Sequence, residues 1–332
     1  MTALALDATD RRLLVLLQRG LPLVAHPYAA IAAEAGISED EALARVRRLS
    51  EGQDGSLIRE IGPIFDSRAL GYRSTLVAMS VPGESVDEAA AVVNAHPGVG
   101  HNYLREHRWN LWFTLAVPPG NDVEAAARCL ARAAGGFPHV CLPALRTFKI
   151  GVRLGIEGDG LPEEAGDEAS APTGDGPGPN ARDKAFIRVL QRNSGIVAEP
   201  FAAAADALAV SQEEVLTWMR EATRRGWLRR FAAVLHHRRA GYQGNGMAVW
   251  KAAPGRVEEI AAAACRRPEV SHCYERATGA GWPYNLFAMV HARDDDECRA
   301  IASKISEEAG APDFAVLFSR REYKKLRMRY FV

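Results

Sequence analysis

Hydrophobic positions at the start of each half of the chain follow a helical spacing. The leucines within 13–17 mark one face of a helix, and "YAAIAAEAG" extends the pattern into a second helix. A third helix is predicted after Ser38, with Glu41 three residues on, which is typical of a capping box. Two short strands are predicted next, at 56–61 and 64–68. This order of elements indicates a winged helix-turn-helix.

The remainder of each half follows the order β-α-β-β-α-β. This is the ferredoxin-like arrangement, in which helices cover one face of an antiparallel sheet. The other face needs a partner, and a second copy of the unit supplies one. We therefore predict an α+β fold, a tandem duplication of a winged helix-turn-helix plus a ferredoxin-like domain. The predicted strands are 74–82, 98–107, 109–118, 140–150, 245–252, 269–276, 284–292 and 314–324, and the predicted helices are 85–96, 122–134, 255–267 and 295–309.

A segment almost without large apolar residues separates the halves. Residues 155–181 are rich in Gly, Pro, Ala and acidic side chains, which predicts a flexible linker that cannot bury a core. The halves share landmarks in the same order, such as "GHNYLRE" and "SHCYERA", which indicates a duplication. The predicted units are a winged helix-turn-helix at 1–72, a ferredoxin-like domain at 73–154, the linker, and the same pair of domains at 182–242 and 243–332.

The bulk composition is that of a globular protein without electrostatic bias. The chain has 332 residues, is 48% hydrophobic and 25% charged, and has a formal net charge of zero. It lacks the basic excess expected of a nucleic-acid or membrane-surface protein. Its five cysteines form no Cys-x-x-Cys motif, and the sequence has neither a signal-peptide pattern nor an apolar run of about 18 residues. We expect a cytoplasmic protein without disulfides or structural zinc, and without a membrane partner.

The repeated motif His-x-Tyr-x-Arg carries the candidate chemistry. Residues two apart on a strand share a face, so each copy predicts a row of side chains pointing into one space. Histidine and tyrosine deliver protons near neutral pH, and arginine grips carboxylates. The alternative is a polar network that ties two sheets together. The rows are His101, Tyr103 and Arg105, with His107 as a continuation, and His272, Tyr274 and Arg276.

One short stretch differs between the copies. His236 and His237 stand where the first half has Asp66 and Ser67, and a single specialised site would explain such a difference. On a strand the two histidines would face opposite sides, so at most one would reach a given pocket. A solvated wing tip is the alternative. Three neighbouring arginines could clamp carboxylates or form surface ion pairs: Arg68, Arg238 and Arg239.

These motifs carry a family resemblance. A winged helix-turn-helix followed by a ferredoxin-like domain resembles the Lrp/AsnC transcription regulators. The stretches "FDSRALGYRSTLVAM", "HNYLREHRWNLWFT", "AAVLHHRRAGY" and "SHCYER" followed by "WPYNLFAMVH" are similar to siroheme decarboxylases, in which two such modules form the enzyme as separate subunits or as one fused chain. The fused form resembles enzymes of heme d1 synthesis, although the same reaction also serves an alternative heme pathway.

The resemblance implies a carboxy-lyase that removes two acetate carboxyl groups of siroheme as CO2, giving 12,18-didecarboxysiroheme. It implies no added organic cofactor, because the macrocycle delocalises the charge left by CO2. Siroheme is the expected partner, held in one main cavity between the halves of a pseudo-dimer; the sequence leaves a homo-oligomer open. The implied catalytic residues are His101, His236, His237, His272, Tyr103 and Tyr274. The implied substrate-binding residues are Arg68, Arg105, His107, Arg238, Arg239, Arg276, Trp282 and Tyr284.

Within this set several roles stay open. We expect His101 and one histidine of the pair at 236–237 to deliver protons. Either His101 or His272 could instead ligate the iron of siroheme, while the protein holds no metal of its own. Trp282 and Tyr284 could touch the macrocycle, although aromatic side chains are more often core residues.

Two other functions compete with decarboxylation. The first is a DNA-binding regulator of the Lrp/AsnC type. Its recognition-helix candidates, "SEDEALARVRRL" and "SQEEVLTWMREATRRG", both begin with acids where a reading helix meets phosphates, so no DNA partner is expected. The second is a tetrapyrrole-binding module without catalysis, which would leave the side chains of its ligand unchanged.

Overall fold

The computed structural model describes residues 6–51, 57–150, 178–192, 194–235, 244–279 and 281–332. In the first half the helices are α1 (Ala8–Arg19), α2 (Pro27–Ala35), α3 (Glu39–Glu51), α4 (Val86–Ala95) and α5 (Val123–Ala133), and the strands are β1 (Ile58–Phe65), β2 (Arg73–Met79), β3 (Val99–Arg105), β4 (Leu111–Val117), β5 (His139–Leu142) and β6 (Ala144–Ile150). In the second half the helices are α6 (Ala181–Leu190), α7 (Ala202–Leu208), α8 (Gln212–Arg224), α9 (Val257–Cys265) and α10 (Asp295–Glu308), and the strands are β7 (Leu228–Leu235), β8 (Gly244–Trp250), β9 (Val270–Arg276), β10 (Leu286–Ala292) and β11 (Phe314–Lys325). No described helix is both long and apolar enough to cross a membrane.

The two helix-turn-helix units share one hydrophobic core. The predicted leucine face of α1 is buried, and it belongs to the same cluster as Phe186 of α6 and Phe231 of β7. Side-chain caps start several of these helices: the backbone N–H of Glu41 donates to Ser38 Oγ, and Ser211 forms a full capping box with Glu214 at α8. The two units are therefore packed together as one body.

The prediction of two strands in the first wing is wrong. A single strand, β1, runs through Gly62 and Pro63 and pairs with β7 of the other half, with Pro63 opposite Phe231. Each wing strand therefore finds its hydrogen-bonding partner in the other half rather than in a hairpin of its own. A two-stranded ribbon can accept a proline because its outer edge is unpaired.

The remaining nine strands form one antiparallel sheet in the order β5-β2-β4-β3-β11-β8-β10-β9-β6. Within each half the ferredoxin-like order is kept. The last strand of each half then continues past its own sheet: β6 pairs with β9, and the end of β11 pairs with β3. Only Pro143 separates β5 from β6, so the two ends of the sheet meet. The α+β duplication predicted from the sequence is confirmed.

Each sheet unit has one face covered by helices and one face turned toward the other half. α4 and α5 pack on the first unit, and α9 and α10 pack on the second. A separate cluster joins the inner faces and includes Trp112, Met247 and Leu317. The duplicated faces thus cover each other, as the sequence predicts. The domain boundaries remain a prediction, and most of the predicted linker at 155–181 lies outside the described residues.

Candidate active site

The two motif rows line one cavity of about 310 Å³ between the inner faces of the halves. This volume lies at the lower end of the usual range for small-molecule sites, roughly 300–1,000 Å³. Strand alternation explains the convergence, because β3 and β9 turn every second side chain toward the same space. The six row residues are His101, Tyr103, Arg105, His272, Tyr274 and Arg276.

The two rows have equivalent strand pairings and ring geometries. Lys325 of β11 lies opposite His101 on β3, and Ile150 of β6 lies opposite His272 on β9. The ring centroids of His101 and Tyr103 are 6.2 Å apart at an interplanar angle of 15°, and those of His272 and Tyr274 are 6.1 Å apart at 23°. The backbone of the two halves thus presents the same motif in the same geometry.

Both row arginines are enclosed and make equivalent contacts. Arg105 Nη1 donates to the carbonyl of Leu317 at 2.8 Å, and Arg276 Nη1 donates to the carbonyl of Leu142 at 2.9 Å. Each guanidinium also lies over the tyrosine ring of its own row. The guanidinium carbon of Arg105 is 5.5 Å from the ring centroid of Tyr103, and that of Arg276 is 4.9 Å from the ring centroid of Tyr274. In both arginines the buried Nε has no hydrogen-bond partner.

The charge of the cavity is one-sided. Burial lowers the pKa of both Arg105 and Arg276 to about 10, which leaves them cationic at neutral pH. Lys325 adds a third cation, and no carboxylate is found among the described residues that line the space. Lys325 pairs with Glu322 at 3.9 Å, whereas the two enclosed guanidiniums have no ion pair with a carboxylate among the described residues. Burying a charge without a counter-ion is costly, so the arrangement is suited to a negatively charged ligand.

Three histidines face this space. Burial lowers the pKa of His101, His272 and His291 to about 4 in each case, and neighbouring positive groups lower it further. For His101 the neighbours are Lys325 and Arg59. All three imidazoles are therefore neutral at pH 7 while no anion is bound. Burial also raises the pKa of Tyr274, so its hydroxyl stays protonated.

His291 and Ser271 are not among the predicted site residues. His291 lines the cavity, and Ser271 Oγ lies 2.8 Å from both His291 Nε2 and His272 Nδ1. Met289 on β10 opposes His272, and His291 is two residues further along the same face, a relation that only the register of the folded sheet reveals. No sequence pattern points to the serine, which is buried with only 5% of its surface exposed.

Two clefts adjoin the cavity. A cleft of about 820 Å³ meets it at His101 and is lined by Arg59, Arg327 and Arg329 together with Glu60. A cleft of about 340 Å³ on the other side shares Tyr274 and Arg276 with it and contains Arg68. Both extend the cationic surface beyond the central space.

The prediction that His107 continues the first row is wrong. Strand β3 ends at Arg105, and His107 lies in the bend that follows, exposed to solvent. Its Nδ1 accepts a hydrogen bond of 3.0 Å from the backbone N–H of Trp109. Side chains two apart share a face only while the chain stays extended, and here it turns.

Two predicted macrocycle contacts also lie elsewhere. Trp282 is buried between the sheets, with its ring 4.9 Å from that of Trp112, and Tyr284 packs on it at 5.1 Å. Neither residue lines the cavity, so the core alternative describes them better. The remaining candidates, His236, His237, Arg238 and Arg239, lie outside the described residues.

Among the described residues no cluster of three or more His, Cys, Asp or Glu side chains could hold an ion. The five cysteines are free thiols.

Family models match both halves of the chain. The AsnC-like ligand binding domain matches residues 69–149 and 239–324. The siroheme decarboxylase NirDL-like HTH domain matches residues 10–53 and 183–229. The matches fall on the two kinds of unit that the fold repeats.

Whole-chain comparisons point the same way. A siroheme decarboxylase of Hydrogenobacter thermophilus is 40% identical over 322 residues, covering 96% of this chain and 94% of that protein. The crystal structure of the siroheme decarboxylase NirDL superposes with a TM-score of 0.76 at 35% identity, covering 98% of this chain and 94% of that one. A second crystal structure, of NirDL in co-complex with an iron-uroporphyrin III analogue, also gives a TM-score of 0.76, at 34% identity, covering 98% of this chain and 95% of the other.

Proposed function

The chain belongs to the siroheme decarboxylase family, and on that premise we propose that it removes two acetate carboxyl groups of siroheme as CO2, giving 12,18-didecarboxysiroheme. The resemblance read from the motifs is confirmed, and the protein is a carboxy-lyase. The proposal concerns the extent of the reaction and the residues that perform it.

One observation carries the assignment of the site. The cavity joins three cations and three neutral histidines, without a carboxylate among its described lining. A substrate bearing acetates and propionates supplies the missing negative charge. Arg105 and Arg276 would each hold a carboxylate through the groups that protein contacts leave available. Arg68, in the adjoining cleft, is a further candidate for a propionate.

The chemistry needs little from the protein beyond binding and a proton. The bond between the acetate methylene and its carboxylate breaks, CO2 leaves, and the electron pair delocalises over the macrocycle. A positioned acid then protonates the methylene to give a methyl group. The described candidates for this acid are His101, His272, Tyr103 and Tyr274. His236 or His237 remains a candidate on the sequence alone.

Substrate binding would prepare His101. Its pKa is about 4 because of burial and the nearby Lys325 and Arg59. An opposite charge within a few ångströms favours the protonated form, so a carboxylate of siroheme would raise the pKa of His101 toward neutrality. Protonation of His101 would then accompany binding, and the free enzyme would not carry this charge. We further propose that the enzyme needs no organic cofactor and works in the cytoplasm, where its free cysteines stay reduced.

DNA binding is less well supported by the helix surfaces. The basic residues of α3 are engaged within the protein: Arg45 pairs with Asp7 at 2.7 Å, and Arg48 pairs with Asp10. On α8, Arg220 pairs with Glu213 at 2.8 Å. Acids occupy the first turn of both helices, where a reading helix would meet phosphate.

The test is anaerobic incubation of the purified chain with siroheme, followed by mass spectrometry of the pigment. Two successive losses of CO2 are the expected result. Tight binding with no mass change would contradict catalysis and favour a carrier of tetrapyrroles. Absence of binding, measured by the absorbance of the pigment, would contradict the assignment of the cavity.

A further inference from the structure

A hydrogen-bonded chain of three side chains occurs at the second-half end of the cavity. Ser271 Oγ lies 2.8 Å from His272 Nδ1 and 2.8 Å from His291 Nε2. Both distances are those of good hydrogen bonds. Ser271 also lies 3.5 Å from the carbonyl of Met289, a much longer contact. The serine therefore serves chiefly to connect the two imidazoles.

The first half has no counterpart to these hydrogen-bonded side chains among its described residues. By the repeat, Gly100 stands at the position of Ser271, and Ala116 stands at the position of His291. Neither residue has a side chain that can form a hydrogen bond. The hydroxyl next to His101 belongs to Thr114, and it accepts from the backbone N–H of His101 at 3.1 Å, not from the ring.

The two hydrogen bonds couple the tautomers of His272 and His291, so that one ring donates to the serine and the other accepts from it. A serine hydroxyl has one proton to give, so it can donate to only one of two neutral imidazoles. If it donates to His272 Nδ1, then His291 Nε2 must donate to the serine, and His272 bears its proton on Nε2. The nitrogen that carries the proton in a histidine is set by the bond that the other nitrogen makes. Nε2 is the nitrogen left to meet the substrate.

We infer that Ser271 and His291 are positioning residues that hold His272 as the proton donor for one of the two decarboxylations. This inference rests on the proposed function and identifies which residue of the site gives the proton. His272 Nε2 gives its proton to the methylene carbon as the bond to CO2 breaks. Nδ1 takes the serine proton, and the serine takes the Nε2 proton of His291. His291 Nδ1 takes one proton from solvent, so the step consumes one proton and leaves the three side chains neutral. The two rings then exchange protons with solvent, which returns the Nε2 proton to His272 before the next turnover.

The assignment excludes a second role for the same ring. A nitrogen that carries a proton has no lone pair for iron, so His272 would not ligate the siroheme iron. This consequence separates donor from ligand by spectroscopy, because loss of an axial ligand changes the absorbance of a bound heme-type pigment.

The test uses full-length variants that copy the first half: Ser271→Gly and His291→Ala. Ser271→Thr keeps the hydroxyl, and Ser271→Ala removes it without adding backbone freedom. Ser306→Ala is the matched control, because Ser306 is also 5% exposed and bridges Trp250 Nε1 and the Ala302 carbonyl in the same half, away from the cavity. Single-turnover reactions with siroheme are followed by mass spectrometry, and binding and iron ligation are followed by absorbance.

We expect Ser271→Gly, Ser271→Ala and His291→Ala to slow one of the two CO2 losses by about 100-fold or more, so that the singly decarboxylated pigment accumulates. The siroheme Kd should stay within about threefold of wild type, because no charge is removed. Ser271→Thr should restore most of the rate, and Ser306→Ala should turn over normally even if it unfolds more readily.

Three outcomes would overturn the inference. In the first, the wild type removes both groups and every Ser271 and His291 variant does so equally fast. In the second, binding is lost together with both steps, which indicates a structural role. In the third, the spectrum of bound siroheme changes in the variants, which identifies His272 as an iron ligand. If the wild type itself releases no CO2, the proposed function fails, a result distinct from these.

Discussion

The two motif rows share their residues and geometry but differ in what supports them. Around His101 the neighbours are Lys325, Gly100 and Thr114, while around His272 they are Ser271 and His291. Cations act on the histidines at both ends, but only the second end has a hydrogen-bonded chain of neutral groups. A duplicated motif thus does not imply a duplicated role. Two similar carboxylates of one substrate would meet different surroundings.

The largest expected effect is on turnover. His101→Ala and His272→Ala should each reduce decarboxylation by about 100- to 10,000-fold, the range for loss of a general acid. If the ends are not equivalent, the two variants should block different CO2 losses, which mass spectrometry of the pigment would show. Unchanged turnover in either variant would show that its histidine is not catalytic. If both variants block the same CO2 loss, the two histidines act in one shared step.

Binding should depend on both ends alike. Arg105→Gln and Arg276→Gln should each weaken siroheme binding by about 10- to 100-fold, because each removes an enclosed charge that faces the ligand. Titration of siroheme followed by absorbance gives the Kd. Arg321→Gln, which removes a surface partner of Asp87, is the control. Losses that differ strongly between the two row arginines would mean that one row carries most of the substrate charge.

Stability should fall on mild acidification. The pKa of His101, His272 and His291 is about 4 in the folded chain, against about 6.5 in the unfolded chain. Between these values the unfolded chain binds more protons, so the free energy of unfolding decreases as pH falls from about 6.5 to 4, by about 1–3 kcal/mol per histidine. Urea denaturation at a series of pH values measures this. In His291→Ala the free energy of unfolding should depend less steeply on pH than in wild type, and in Ser306→Ala it should depend on pH as in wild type. Equal slopes in the two variants would contradict the lowered pKa of His291.

The smallest effect tests the asymmetry itself. Lys325→Ile installs the residue type that lies opposite the histidine of the second row, where Ile150 is paired with His272. Because Lys325 lowers the pKa of His101 and of His291, both values should rise from about 4. The pKa of His272, on which Lys325 does not act directly, should move less. NMR titration of the imidazole protons would show the difference. Equal pKa changes in all three histidines would mean that Lys325 acts equally on both ends of the cavity.

The sequence was most informative where chemistry and strand alternation coincide. A motif of period two places His, Tyr and Arg on one face without knowledge of the partner strands, and so it predicts both rows. The motif does not show where a strand ends, so it places His107 in the first row although the chain bends there. Nor does the sequence pattern reveal pairing between halves, so it predicts two strands in the wing where one is found. Ser271 and His291 act through a contact between neighbouring strands, and register is a property of the folded sheet.

The exchanged strands also determine when the site comes into existence. Arg105 donates to the carbonyl of Leu317, 212 positions further along the chain, and His101 is paired with β11 near the end of the described sheet. On a ribosome the first motif therefore emerges long before the strand that completes its surroundings. Contacts this distant in sequence form late and slowly. The cavity is thus completed only once β11 has been synthesised, and a chain stalled earlier in its second half would have the first row without a binding site.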